Sequence, residues 1–311
     1  MKDYLFIPHN DEYLDVSDIP RQKRGLRYPA PDGSERELDL FYPEMGDGPF
    51  PVILSVAGGA WYYGVPTSAH LGRTVHCSVR RGYAFASIAC TSSRYRKFPY
   101  QIAEVKGAVR YLRRNAEALG LDTDFIGNWS ASSGAHLSLL AALTEQDPYF
   151  DIHNGDRTPC GVDALAAIYP CLRLDATEED FHRLGLEPET YRSGADCMES
   201  RFLGALVENS PELCRLAAPI THLRADAPPM MLLHGTADAT VPVTFTLEFA
   251  HAYLDLAGAD KLLVRIMRGA GHSDPRFKDD AMCAEILDFF DRARLGLTPC
   301  PPEYRGIDSY I

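Results

Sequence analysis

The sequence contains no apolar run near the roughly 18 residues that span a bilayer, so no transmembrane helix is expected and no membrane partner. It is short of positive charge: 31 Lys and Arg stand against 43 Asp and Glu, a formal charge of −12. Such a surface repels phosphate backbones and argues against a nucleic-acid partner. Its eight cysteines form no Cys-x-x-Cys pair and no zinc spacing, so no metal is expected. The first 24 residues are charged and lack an apolar core segment, so no secretory leader is expected. Without one, the scattered cysteines read as free, mostly buried thiols in a reducing cytoplasm. Internal repeats and low-complexity tracts are absent.

What is present is a regular series of short apolar runs. They fall at residues 51–57, 83–89, 125–129, 164–169, 230–233 and 262–267. Runs apolar on both faces suit parallel strands covered by helices. Helical periodicity lies between them, at 102–119, 133–143, 245–256 and 281–295. Strand–helix alternation predicts an α/β fold with a mostly parallel central sheet flanked by helices. Residues 35–42 alternate polar and apolar and read as an antiparallel edge strand. The whole chain, 1–311, is expected as one domain. Residues 171–227 are too long for a plain crossover and read as a small cap-like insertion over the C-terminal edge of the sheet, where α/β sites sit.

Residues 130–134 read Ser-Ala-Ser-Ser-Gly and sit between a predicted strand and a predicted helix. A sharp strand–turn–helix lifts one side chain above the sheet, and small residues two before and two after it prevent clashes. For Ser132 those flanks are Ser130 and Gly134. For Ser130 one flank is the bulkier Asn128, and Ser133 already lies inside the helix. Ser132 is therefore the predicted nucleophile.

A serine hydroxyl needs a base to attack, and histidine has a suitable pKa. His272 stands in Gly-Ala-Gly-His after the last predicted strand. His136, on the helix after Ser132, and His234, at a strand end, read as structural. Asp238 follows the strand at 230–233 and can orient the imidazole. Asp226 and Asp260 precede their strands and so belong at the opposite edge. The order Ser132, Asp238, His272 is the one expected for a catalytic triad on such a sheet. After the first parallel strand comes Ala57-Gly-Gly-Ala-Trp61. Its backbone amides at Gly59 and Ala60, with that of Ser133, can hold a developing oxyanion. Trp61 and Tyr62, with Tyr63, follow that loop. They line a substrate pocket or pack into the core, with equal weight on each.

Several segments together resemble α/β-hydrolase esterases of the feruloyl-esterase-like (BD-FAE) group, close to the hormone-sensitive-lipase-type carboxylesterases. They include Leu-Phe-Tyr-Pro at 40–43, Gly-Gly-Ala-Trp at 58–61 and the run at 98–113. Gly-Ala-His-Leu at 134–137, Ala-Pro-Ile-Thr at 218–221, the run at 227–235 and Gly-His at 271–272 complete the set. The resemblance implies hydrolysis of carboxylic esters without a cofactor, on small or aromatic acylated substrates. It maps nucleophile, acid and base onto Ser132, Asp238 and His272. Three departures stand out. Ala57 occupies the place of a histidine that braces the oxyanion loop. Ala-Cys-Thr at 89–91 replaces an Asp/Asn-Tyr-Arg brace. Ser130 and Ala135 replace glycines of the elbow. Together they predict a less rigid oxyanion loop. An amidase or peptidase of the arylformamidase kind, or a non-catalytic binding protein on the same fold, is the alternative. A homodimer is left open.

Overall fold

The computed structural model describes residues 13–152 and 155–299. The start of the chain, read above for a leader, and Cys300 lie outside them. Eight strands form one sheet: β1 (Gln22–Pro29), β2 (Glu35–Phe41), β3 (Phe50–Val56), β4 (Ala84–Ile88), β5 (Leu121–Ala131), β6 (Ala164–Ile168), β7 (Met230–Gly235) and β8 (Leu262–Met267). Their spatial order is β1-β2-β4-β3-β5-β6-β7-β8. β2 runs antiparallel to both neighbours, and β3 to β8 are parallel. All six predicted parallel strands are present.

The strand predicted as an edge is not one. β2 is antiparallel as expected, but β1 lies outside it. β1 reads Gln-Lys-Arg-Gly-Leu-Arg-Tyr-Pro and buries only Tyr28 fully, so its apolar signal is thin. Charge on an outermost strand discourages pairing with another chain.

Nine helices accompany the sheet among the described residues: α1 (Thr74–Arg81), α2 (Tyr100–Arg114), α3 (Ala116–Leu119), α4 (Ser132–Leu143), α5 (Glu178–His182), α6 (Met198–Leu203), α7 (Pro211–Leu216), α8 (Val243–Ala257) and α9 (Asp280–Arg294). The periodicity at 102–119 predicted one helix, and the chain makes two. Asn115 breaks them: its side-chain amide donates to the Tyr111 carbonyl at 2.8 Å, competing with the helical ladder.

Successive residues of each strand feed opposite faces of the sheet. In β3, Ile53 packs with Val75 and Val79 of α1 and Phe289 and Phe290 of α9. Val52, Leu54 and Val56 pack with Ile102, Val105 and Val109 of α2 and Leu137 and Leu140 of α4. α8 covers β7 and β8 on that second face through Phe245, Phe249 and Tyr253. This double cover fixes the parallel strands and leaves their C-terminal ends as the place where loops can meet. α5, α6 and α7 come from residues 171–227.

Candidate active site

The loops after β3, β5, β6, β7 and β8 meet at the C-terminal edge of the sheet, and backbone strain marks four of them. Among the described residues, the non-glycine positions with positive φ are Ala60 (55°), Trp61 (57°), Ser132 (54°), Tyr169 (38°) and Ser273 (64°). Each costs roughly 1–3 kcal/mol and persists only where packing over-determines it. They follow β3, β5, β6 and β8.

The elbow is one of these turns. β5 ends at Ala131 and α4 begins at Ser132. Gly134 has no room for a side chain, because a Cβ there would sit 2.1 Å from the Val56 carbonyl oxygen. Ser130, in place of a glycine, is put to use. Its hydroxyl donates to Asn128 Oδ1 at 2.8 Å and accepts from the Val56 amide at 3.0 Å and the Ser138 hydroxyl at 3.1 Å. One buried oxygen thus ties the ends of β3 and β5 to α4.

Ser132, His272 and Asp238 come together as the sequence predicted. The Ser132 hydroxyl donates to His272 Nε2 at 3.0 Å, and His272 Nδ1–H donates to Asp238 Oδ2 at 2.7 Å. Asp238 is buried. Its Oδ1 accepts the Thr240 and Val241 amides at 2.9 and 2.8 Å. Burial alone would raise its pKa, but the imidazoles of His272 and His234 outweigh burial and hold it well below the usual carboxylate range. The loops bearing Asp238 and His272 are joined by Ala237 N–H to Ala270 O at 3.0 Å and Gly269 N–H to Thr236 Oγ1 at 2.9 Å.

Two contacts around the triad, at His234 and Tyr169, escaped the sequence reading. His234 lies 3.2 Å from Asp238 Oδ2 through Nε2, which also bonds the Val241 carbonyl at 3.0 Å, and its Nδ1 meets Thr246 Oγ1 at 2.7 Å. It is structural, as read, but it buttresses the carboxylate directly. Tyr169 sets its ring 4.4 Å from the His272 ring. Burial pushes its phenol up to about 12, so it stays neutral beside the imidazole. Position alone offered a signal for Tyr169: it ends an apolar run at the active edge. Asp226 and Asp260 lie before β7 and β8, and Asp226 pairs with Arg224 at 2.6 Å.

The loop after β3, the candidate oxyanion loop, packs against the elbow. A Cβ on Gly58 would stand 3.0 Å from the Ala131 carbonyl and 3.6 Å from Ser132 Cβ. Among the described residues, the amides of Gly59 and Ala60 have no acceptor. The Ser133 amide lies in the first turn of α4, where a helix offers no internal partner.

The loop is not left slack by Ala57. The Trp61 indole N–H donates to His136 Nδ1 at 3.0 Å, and His136 Nε2–H donates to the Ala217 carbonyl at 2.8 Å. Trp61 also stacks on Phe202 of α6, with ring centroids 4.6 Å apart. Trp61 is therefore buried packing, not an open pocket wall. Tyr62 is half-buried. The missing brace at 89–91 is replaced in the same way. Glu104 of α2 accepts the Thr91 amide at 2.7 Å and its hydroxyl at 2.5 Å, and Gln101 donates to the Thr91 carbonyl at 3.0 Å.

The His136 link carries a pH prediction. Burial lowers its pKa from 6.5 to about 4. The unfolded chain then takes up the proton first, so stability is full above about 6.5 and falls as pH drops towards 4. The expected loss is about 3 kcal/mol across that window. Urea midpoints at pH 7.5 and 4.5 are expected to draw closer in His136→Gln than in the wild type. An unchanged gap counts against the assignment.

Residues 38–253 match the BD-FAE family. The chain is similar to esterase LipC of Mycobacterium tuberculosis, 31% identical over 256 residues, covering 82% of this chain and 57% of that one. It is 27% identical over 254 residues to isoprenylcysteine alpha-carbonyl methylesterase ICME of Arabidopsis thaliana, covering 80% and 56%. The chain thus spans little more than half the length of these curated relatives. Among solved structures, a truncated carbohydrate esterase from gut microbiota aligns with a TM-score of 0.76 at 24% identity, over 91% of this chain and all of that one. Esterase 2 of Thermogutta terrifontis, phosphonylated by sarin, aligns at 0.69 and 24% identity, over 92% and 99%. The chain belongs to the BD-FAE family and has the α/β-hydrolase fold.

Proposed function

We propose that the protein is a serine carboxylesterase working through an acyl-enzyme, with Ser132 as nucleophile, His272 as base and Asp238 as its orienter. The observation that carries this is the continuous chain from the Ser132 hydroxyl through His272 to Asp238, at 3.0 and 2.7 Å, on a strained elbow. Ser132 Oγ attacks the ester carbonyl while its proton passes to His272 Nε2. Asp238 holds Nδ1–H and stabilises the imidazolium. The amides of Gly59, Ala60 and Ser133 receive the oxyanion, each worth about 2.7–4 kcal/mol in the transition state. His272 then protonates the leaving alkoxide, and water attacks the acyl-enzyme by the same route in reverse.

Short acyl or alcohol groups are the favoured substrates. The Thermogutta neighbour was solved with propionate and with butyrate, and the Arabidopsis relative is a methylesterase by name. Residues 171–227 act as a cap. Their α6 lays Phe202 on Trp61, and Arg192 donates to the Thr240 carbonyl at 3.1 Å beside Asp238. The seven described cysteines are all free, which supports a reducing compartment such as the cytoplasm. No helix among the described residues is long and apolar enough to cross a membrane.

A fluorophosphonate probe tests the reading. The wild type is expected to hydrolyse p-nitrophenyl acetate, to lose that activity on labelling, and to carry one adduct on the peptide at Ser132. An adduct on Ser130 overturns the elbow register. Neither turnover nor labelling supports a binding protein on a hydrolase fold.

A further inference from the structure

A cavity of about 180 Å³ adjoins the oxyanion loop, lined by Tyr62, Tyr63, Cys90, Ser92, Arg94 and Tyr95. Tyr62 is two residues past Ala60, so the cavity begins within about 7 Å of backbone from the candidate oxyanion amides. The two segments forming it are pinned together. The Ser93 amide donates to the Trp61 carbonyl at 2.8 Å, and the Ser92 hydroxyl to the Tyr62 carbonyl at 2.7 Å. Ser92 Oγ also accepts the Arg94 amide at 3.2 Å. The backbone bearing Arg94 is therefore fixed to the backbone that would hold the oxyanion.

Arg94 itself is held ready. Its guanidinium carbon lies 4.0 Å from the Tyr62 ring centroid and 5.5 Å from that of Tyr63. Stacking orders the side chain but consumes none of its in-plane N–H donors. Among the described residues no carboxylate pairs with it. Neighbouring cations are accounted for differently. Arg96 pairs with Asp32 and Arg201 with Asp196, whereas among the described residues Lys97 bonds only the carbonyls of Ser93 and Arg201. Arg94 and Lys97 thus leave a local positive excess on a protein of formal charge −12. An isolated positive patch on an acidic surface focuses anions to one place.

We propose that this cavity is a carboxylate subsite, with Arg94 selecting esters that carry a carboxylate away from the scissile bond. Arg94 acts as a specificity residue: its fork binds the carboxylate in a bidentate fashion, and Tyr95, 75% exposed, covers the carbon skeleton between carboxylate and ester. The proposal rests on the esterase reading for its site and adds the substrate class.

Two ester pairs decide it, and they also show which half of the ester bears the charge. Monomethyl adipate against methyl hexanoate places the carboxylate on the acyl side. 4-Acetoxybenzoate against phenyl acetate places it on the alcohol side. The wild type is expected to prefer the charged member of one pair at low salt. Arg94→Met is expected to lower kcat/KM on that member at least tenfold, mainly through KM, with its neutral partner within twofold. Arg94→Lys recovers part of the loss. Rising ionic strength weakens the charged ester alone. Equal loss on both members, or none on either, overturns the proposal. If the wild type hydrolyses none of the four, the esterase reading fails on its own account. Calorimetric titration with 4-hydroxybenzoate against phenol then decides the subsite. At least fivefold tighter binding of the anion, abolished in Arg94→Met, upholds it, and equal binding overturns it.

Discussion

Replacing Ser132 with alanine is expected to lower kcat on p-nitrophenyl acetate by on the order of 10⁶, the loss typical when a triad loses its nucleophile. The change deletes one oxygen and keeps Cβ, so the turn, Gly134 and the Ser130 hydrogen bonds remain as they are. Folding is thus expected to be unaffected, with a thermal midpoint within a few degrees of the wild type. Residual hydrolysis above the uncatalysed rate is expected, since the amides of Gly59, Ala60 and Ser133, proposed to hold the oxyanion, stay in place. A variant within tenfold of wild type would place the nucleophile elsewhere. Steady-state kinetics and a melting curve on the same preparation separate the two outcomes.

The second large effect concerns Asp238→Asn, with an expected loss of about 10⁴ in kcat. The structure shows which way the new amide must turn. The Thr240 and Val241 amides both donate to Oδ1, so the asparagine oxygen stays with them. Its NH₂ then faces His272 Nδ1 and His234 Nε2. To accept from that NH₂, His272 must carry its proton on Nε2, where it can no longer take the Ser132 proton. His234 meets a donor where it had an acceptor, so a modest loss of stability accompanies the kinetic one. A variant retaining a tenth or more of wild-type kcat argues that another group orients the imidazole.

The parts of this molecule that were legible in its sequence are those written in local chemistry. Six parallel strands announced themselves as apolar on both faces, because helices cover both sides of the sheet. Ser132 was picked out by what a tight turn excludes at Ser130 and Gly134. Asp238 and His272 followed from their places after the last two strands. β1 was hidden because its charged side chains face water on an outermost strand. α1 was hidden by its brevity, with only half of its eight residues buried. The contacts that brace the loop at 57–61 were out of reach for a different reason. Its brace joins Trp61 to His136 across 75 residues, and Thr91 is held by Glu104 from the next helix. Reading Ala57 as a lost contact was sound locally. The replacement contacts are tertiary, and no local pattern encodes them.

The same strained positions set a limit on what selection for durability can do here. Ser132, Ala60, Trp61, Tyr169 and Ser273 all hold a backbone shape that glycine would adopt at lower cost. At Ser132 that substitution relieves the turn and removes the attacking oxygen together. A library screened only for heat resistance would therefore drift towards glycine at the very residue the proposed chemistry requires. At the elbow this chain stands away from its most durable form, and catalytic turnover is the pressure that would hold it there.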